Sequence, residues 1–433
     1  MTGRSVLLDG KPVVLLDPPL GTGLEAGVHP VEGADDLVVK VYYQPDDARE
    51  RRLQRMLALD PLAGQPVDGG QPPELAWPVG LVHGQDGAFL GYGMSRFADP
   101  AHIQLTGLFS RDQRLRRFPP DADWRFLLGI CWNLSFMTAR LHHKGLVIGD
   151  FSAKNVVVDQ RGFATFLDCD SIGFTDPDTR EPFLATLHTP DYAAPERLRG
   201  GPGTVQSDDF ALAVLIYQVL TAGYHPFGGV PRDSEDDVQI SDNITASRSF
   251  VVRPESVVIP RGMLDPTVLP PALLALARQA FGPGVEDAAQ RPTSLQWLEA
   301  LEEARAEGAI TVCPRRARHA YGSHLTQCPW CDRAEATGHD AFNAPPAPDP
   351  LPPPEPPGPE LPPPPGAPPV PVVPPSQGRV LPRPPQTPPP SLPDPWPKLA
   401  ETVKRCFEAV KEIVMVGCGL LLLFIVRYWI SQW

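Results

Sequence analysis

Residues 147–159 read VIGDFSAKNVVVD, and the chain continues as QRGFATFLDCDS to Ser171. Asp150 and Asn155 stand five apart, ahead of a β-branched run. A strand–turn–strand pattern (VVVDQRGFATFLD) then delivers a further carboxylate, Asp168, thirteen residues beyond Asn155. A loop acid, a loop amide and a second acid after one hairpin gain meaning only from what surrounds them.

Upstream, PLGTGLEAGVHPV (19–31) precedes LVVKVYY (37–43). Gly21 and Gly23 lie between two β-like runs, where glycine lets backbone amides approach a phosphate closely, and Lys40 follows on a strand. Taken alone, this pair also fits an ordinary hairpin and a solvated lysine. Downstream come TPDYAAPE (189–196), then SDDFALAVLIYQVLTAGYHPF (207–227), which has the character of a long buried helix beginning near Asp208, and finally QRPT (290–293).

In this order and spacing, over about residues 10–305, the motifs resemble those of the protein kinase superfamily. The resemblance implies an α+β, bilobal kinase-like fold, with an N-lobe of about 1–97 and a C-lobe of about 98–305. It implies Asp150 as the catalytic base, Asn155 and Asp168 on Mg²⁺ (or Mn²⁺), and Gly21, Gly23 and Lys40 on the phosphates of ATP. Phosphoryl transfer needs alignment and charge neutralisation more than covalent chemistry, so this is a sufficient set. Glu50, on the expected helix PDDARERRLQRMLALD, is the candidate clamp for Lys40, with Glu25 as competitor. Arg291 is expected to pair with Glu196, and Asp208 to act as a structural acid.

The departures are specific. The third loop glycine is Ala26, the usual His-Arg before the catalytic Asp is Ile148-Gly149, and Asp-Phe-Gly has become Asp168-Cys169-Asp170. Losing the Arg removes the cation that commonly receives an activation-loop phosphate. Asp170 reads as a turn cap, or as one more metal ligand. The lysine that Ser/Thr kinases carry two residues after the base is Ser152; Lys154 stands four after it and is the candidate replacement cation. Ser/Thr is the expected acceptor and Tyr the alternative. The competing class is a pseudokinase, a nucleotide-binding or scaffolding module on the same fold.

Seven cysteines are unevenly spread, and three fall within CPRRARHAYGSHLTQCPWC (313–331). Cys313, His319, Cys328 and Cys331 give the spacing Cys-x5-His-x8-Cys-x2-Cys, that of a closed structural Zn²⁺ site, with His324 as an alternative ligand. This predicts a zinc knuckle over 306–335, built from a segment too poor in apolar residues to fold without metal. A kinase domain followed by such a knuckle resembles a bacterial group of eukaryotic-like kinases, which implies a protein substrate and, as a partner, a phosphatase or von Willebrand A-type protein.

Residues 336–397 are expected to be a disordered, proline-rich linker, since the chain's 57 prolines concentrate there and proline builds neither a core nor a ladder. The end, KLAETVKRCFEAVKEIVMVGCGLLLLFIVRYWISQW, is read as a basic juxtamembrane segment and a C-terminal transmembrane helix over 398–433. Its apolar run Ile413–Val426 is short for a span, but Tyr428, Trp429 and Trp433 extend it as an interfacial belt. Lys398, Lys404, Arg405 and Lys411 precede the run, which predicts a cell-membrane protein with its kinase domain in the cytoplasm. No secretory signal is evident at the start. A net charge of −13 argues against a nucleic-acid partner.

Overall fold

Asp9 and Gly10 take positive φ, 47° and 76°, the two-residue turn that matches the twist of a β-hairpin. They join β1 (Gly3–Leu8) to β2 (Lys11–Leu16), and the Asp9 carboxylate accepts the Leu81 N–H at 2.9 Å. The computed structural model describes residues 3–59, 61, 75–97, 100–232 and 238–343. Beyond β2 come β3 (Gly21–Thr22), β4 (Ala26–Val31), β5 (Ala34–Tyr42), helix α1 (Asp47–Leu59), β6 (Pro78–His83) and β7 (Phe89–Ser95). The seven strands run in the order β2-β1-β6-β7-β5-β4-β3, and an extra pairing of Leu15 with Val31 joins β2 to β4. Six strands thereby form a ring around Val6, Leu15, Val31, Val39 and Val82. α1 buries Leu53 and Met56, and the Met56 carbonyl accepts from the Trp77 indole at 3.0 Å.

The second lobe is mostly helical. β8 (His102–Gln104), α2 (Arg111–Arg117) and α3 (Trp124–His143) lead to the hairpin β9 (Val156–Asp159) and β10 (Ala164–Phe166), which completes a three-stranded sheet with β8. This small sheet sets Asn155 one residue before β9 and Asp168 two residues after β10. The short pair β11 (Phe174–Thr175) and β12 (Pro182–Phe183) follows, then α4 (Pro195–Leu198) and α5 (Val205–Leu220).

α5 is buried on every side from Ser207 to Leu220, as a helix at the centre of a domain is. Its N-cap Thr204 forms a capping box with Ser207, while Phe210, Leu212, Leu215 and Ile216 have no exposed surface. Each such side chain contributes about 1.5–3 kcal/mol by leaving water. After the short pair β13 (Val230–Pro231) and β14 (Val257–Val258), with α6 (Ile240–Thr245) between them, α7 (Pro271–Phe281), α8 (Pro283–Glu286) and α9 (Ser294–Ala304) finish the lobe. Arg291 reaches Glu196 through both terminal guanidinium nitrogens, at 2.6 and 2.7 Å, so the expected ion pair is present.

The last elements are β15 (Ile310–Val312), β16 (Ala320–Gly322) and α10 (Pro329–Thr337). They belong to the same compact unit as the lobes. The expected linker boundary at 336 is corrected: α10 runs to Thr337, and Ala341 and Phe342 are buried. Phe342 meets Trp330 edge-on at 4.8 Å, and Arg114 of α2 donates to the Ala341 carbonyl at 2.7 Å. Among the described residues no helix is long and apolar enough to cross a membrane. The rest of the proline tract and the run Ile413–Val426 lie outside the described residues.

Candidate active site and metal cluster

Asp208, 1% exposed at the start of α5, accepts the Ile148 and Gly149 N–H groups at 2.7 and 2.9 Å and His142 Nε2 at 3.1 Å. Charge-assisted bonds to main-chain amides fix the path of the loop that follows. Asp150 then projects into a small cavity that Asn155 and Asp168 also line. Asn155 donates to the Asp150 carboxylate at 2.9 Å, which leaves its own amide oxygen for another partner. The other Asp150 oxygen accepts the Thr189 hydroxyl at 2.7 Å.

Lys154 lies on the turn Ala153–Asn155 next to this loop, exposed, and its ammonium has no hydrogen bond or ion pair among the described residues. Gly149 has φ of 80°, and a Cβ there would stand 2.5 Å from that of Ala185. The place of the missing Arg therefore faces Ala185, which lies in the segment between Asp168 and Glu196. Arg197 holds that segment from its far end, donating to the carbonyls of Ala185 and Gly201 at 3.0 and 2.8 Å and of Leu187 at 2.5 Å.

The clamp on Lys40 is not the expected one. Its ammonium donates to Asp170 at 2.8 and 3.1 Å and to Asp168 at 3.2 Å. Glu50 instead faces β6, where it meets His83 Nε2 at 3.0 Å, and Gln54 one helical turn on at 3.4 Å. Glu25, the other candidate, binds Arg49 at 2.8 Å. Asp170 is thus neither a turn cap nor a free metal ligand: Tyr42 and Tyr92 also donate to it, at 2.6 and 3.0 Å. Burial alone would raise the Asp170 carboxyl, but the charge and hydrogen bonds of Lys40, with both tyrosines, outweigh it and hold the group below the usual carboxylate range. Burial would likewise lower the Lys40 ammonium, and the two carboxylates more than reverse this.

Strand register explains the arrangement. Tyr42 is two residues beyond Lys40, hence on the same face of β5, and Tyr92 is directly paired with Lys40 across β7. Gly91, next along, has no room for a side chain: a Cβ would lie 1.9 Å from the Lys40 carbonyl oxygen. Gly21 pairs with Val28 at the start of the glycine turn, and the Gly23 N–H closes it on the Ala26 carbonyl at 2.9 Å.

At the other end of the chain, Cys313, His319, Cys328 and Cys331 are all buried, with ligand atoms within 4.8 Å of one another. Cys313 Sγ lies 3.6 Å from Cys331 Sγ, and His319 Nδ1 lies 3.5 and 3.4 Å from the sulfurs of Cys328 and Cys331. A tetrahedral ion with bonds of about 2.0–2.3 Å has edges of about 3.3–3.8 Å, so the set fits one. His319 Nε2 faces Asp340 at 2.8 Å, which assigns that nitrogen the proton and turns the Nδ1 lone pair to the sulfurs. Burial pushes the Cys328 thiol up to about 12. His324 is outside the cluster, on the Thr267 carbonyl at 3.1 Å.

The residues that sequence reasoning missed are Tyr42, Tyr92, Arg197, Thr189 and Asp340. The pairing of Tyr42 with Lys40 was accessible through the period of two; the others depend on tertiary packing.

No protein-family model matches the chain. Among characterised proteins, it is 30% identical over 344 residues to "Protein kinase YegI" of Escherichia coli K12, covering 76% of this chain and 50% of that protein. The protein of the same name from Escherichia coli O157:H7 is 29% identical over 326 residues, 72% and 48% of the two chains. "Serine/threonine-protein kinase PkaB" of Streptomyces coelicolor is 33% identical over 135 residues, 29% of this chain and 31% of that one. The chain spans about half the length of the first two.

Proposed function

We propose that this chain, which belongs to the eukaryotic-like protein kinase superfamily, is an active enzyme that transfers the γ-phosphate of ATP to a Ser or Thr hydroxyl of a protein. The observation that carries the reading is the Asp150 carboxylate, held by Asn155 on one oxygen while the other accepts a threonine hydroxyl at 2.7 Å. A carboxylate so placed orients an acceptor hydroxyl and receives its hydrogen bond as the phosphoryl group arrives. Asn155 and Asp168 would hold Mg²⁺ or Mn²⁺, which when bound supplies neutralisation of phosphate charge. Lys40 and the Gly21–Gly23 turn would hold the phosphates, and Lys154 would face the transferring group. The purified full chain should move label from γ-labelled ATP to a generic acceptor in a Mg²⁺-dependent manner. ATP binding without transfer under either metal would instead favour the pseudokinase.

The reading extends to the rest of the chain. The cluster at Cys313–Cys331 would hold one structural Zn²⁺, because four protein ligands close a tetrahedral site and leave no open position for catalysis. The apolar run Ile413–Val426 and the basic residues before it support a single C-terminal anchor with the lobes in the cytoplasm. Deleting 398–433 should release the chain from membranes without weakening nucleotide binding. A phosphatase or von Willebrand A-type partner rests on the resemblance and would be sought by co-purification.

A further inference from the structure

We infer that Asp170 is the positioning residue for Lys40, taking over from the helix α1 the anion that holds the phosphate-binding lysine. The inference rests on the kinase reading and names a part of that site.

Its basis is a count of bonds. An ionised carboxylate offers about four acceptor positions, and all four on Asp170 are taken: Lys40 on both oxygens, Tyr92 on Oδ1 and Tyr42 on Oδ2. Asp168 differs. Its side chain is 46% exposed against 12% for Asp170, and Lys40 is its side-chain partner, on one oxygen at 3.2 Å. A cation entering the cavity can therefore be met by Asp168, whereas Asp170 could reach it only by giving up a buried bond.

The helix that would normally supply the lysine's partner is attached elsewhere. Glu50 is engaged with His83, and Arg52 of the same helix donates to the main-chain carbonyls of Asp170 and Ile172. α1 thus grips the backbone of the segment, and the segment's carboxylate grips the lysine. Asp168 immediately precedes the turn Cys169–Ser171 that contains Asp170, so one short turn sets both the metal-facing acid and the lysine. Lys40 keeps its place without a salt bridge to α1.

The test is a double-mutant cycle read by nucleotide binding to the full chain, with and without Mg²⁺, on wild type, Lys40→Met, Asp170→Asn and the double variant. The expected result is a change of about fivefold or more in metal-free ATP affinity on Asp170→Asn, shrinking to less than about twofold in the Lys40→Met background. The Mg²⁺ needed for half-maximal stabilisation of the nucleotide complex should shift by less than about twofold, and Glu50→Gln should leave both quantities within that range. Tyr42→Phe keeps the charge and the ring while removing one bond; it should give the same pattern with a smaller change, and it carries the cycle if Asp170→Asn fails to fold in a thermal melt. An unchanged affinity in Asp170→Asn, an effect that persists in the Lys40→Met background, or a rise of about tenfold in the Mg²⁺ requirement would overturn the assignment, the last by making Asp170 a metal ligand. A chain that shows the coupling and transfers no phosphate would sink the kinase reading alone; a wild type that binds no ATP overturns both.

Discussion

The Cys/His cluster and the cleft around Lys40 are built from opposite kinds of proximity. The cluster gathers its four ligand atoms from residues 313–331, on the connection between β15 and β16 and at the start of α10, and its histidine is oriented by donating a hydrogen bond to a nearby carboxylate, Asp340. The cleft joins partners 130 residues apart, Lys40 and Asp170, across two lobes. The first is fixed by local chain geometry that brings four ligand atoms within reach of one ion. The second is fixed by which buried donors surround a carboxylate, so exchanging one acid for another re-routes the whole arrangement without removing any of its parts.

The comparison is broken most severely by taking away the metal. Chelation, or Cys331→Ser, should reduce zinc from about one per chain to none, and it removes a binding free energy on the order of 10 kcal/mol from the folding of this segment. Metal analysis with amide exchange over 310–343 checks it: protection should vanish there and persist in α5. A zinc-free chain whose exchange pattern is unchanged would show that packing of Trp330 and Phe342 alone holds the segment.

Next in size is Asp168→Asn, which should cut Mg²⁺-dependent transfer by about 10³-fold or more, since it removes the half-exposed acid left for the cation. Single-turnover assays measure it. Lys154→Ala should lower turnover by about 10²-fold with ATP affinity nearly constant, as expected for a contact made mainly to the transferring group. If kcat holds in that variant while Asp150→Asn loses it, the exposed lysine has no part in the chemistry.

The smallest effect sharpens the contrast by way of an ordinary half-buried pair. Burial alone would raise the Glu196 carboxyl, but Arg291 outweighs this and holds it below its ordinary value. Stability from this pair is present above the unfolded-state value of 4.5 and is lost as pH falls through the lower folded value. Glu196→Gln should therefore destabilise at pH 7 by about 2 kcal/mol, with the gap to wild type closing below about pH 4. Denaturant titrations at the two pH values test the sign.

What could be read from the sequence follows the same division. The ligands Cys313, His319, Cys328 and Cys331 were legible because they lie close along the chain, and the kinase motifs because loops flanking one hairpin carry Asp150, Asn155 and Asp168. The pairing of Arg291 with Glu196 was also legible, through the motif order. The partner of Lys40 was not. Glu50 stands on the expected helix, but His83 on β6 captures it, and Asp170 looks like a turn residue until Tyr42 and Tyr92 are seen above it. No local pattern reports which acid two distant tyrosines will surround. The boundary at 336 failed for a related reason: Ala341 and Phe342 look like part of a linker in sequence, and only Arg114 and Trp330 show that they are core.

The turn at Asp9 and Gly10 has one more consequence. A sheet with open sides presents unpaired main-chain groups on which a second chain can template itself, and proteins guard such sides with charge, proline or closure. The first lobe uses closure, with β1 as the last stave. Its two seams are short: Leu7 and Leu8 against β6, and Leu15 against Val31. Their opening would bare the flanks of β6 and β4 together, so self-association of this protein should begin at its N-terminus, far from the cleft, and a variant such as Asp9→Ala should aggregate sooner on heating than one altered at Asp150.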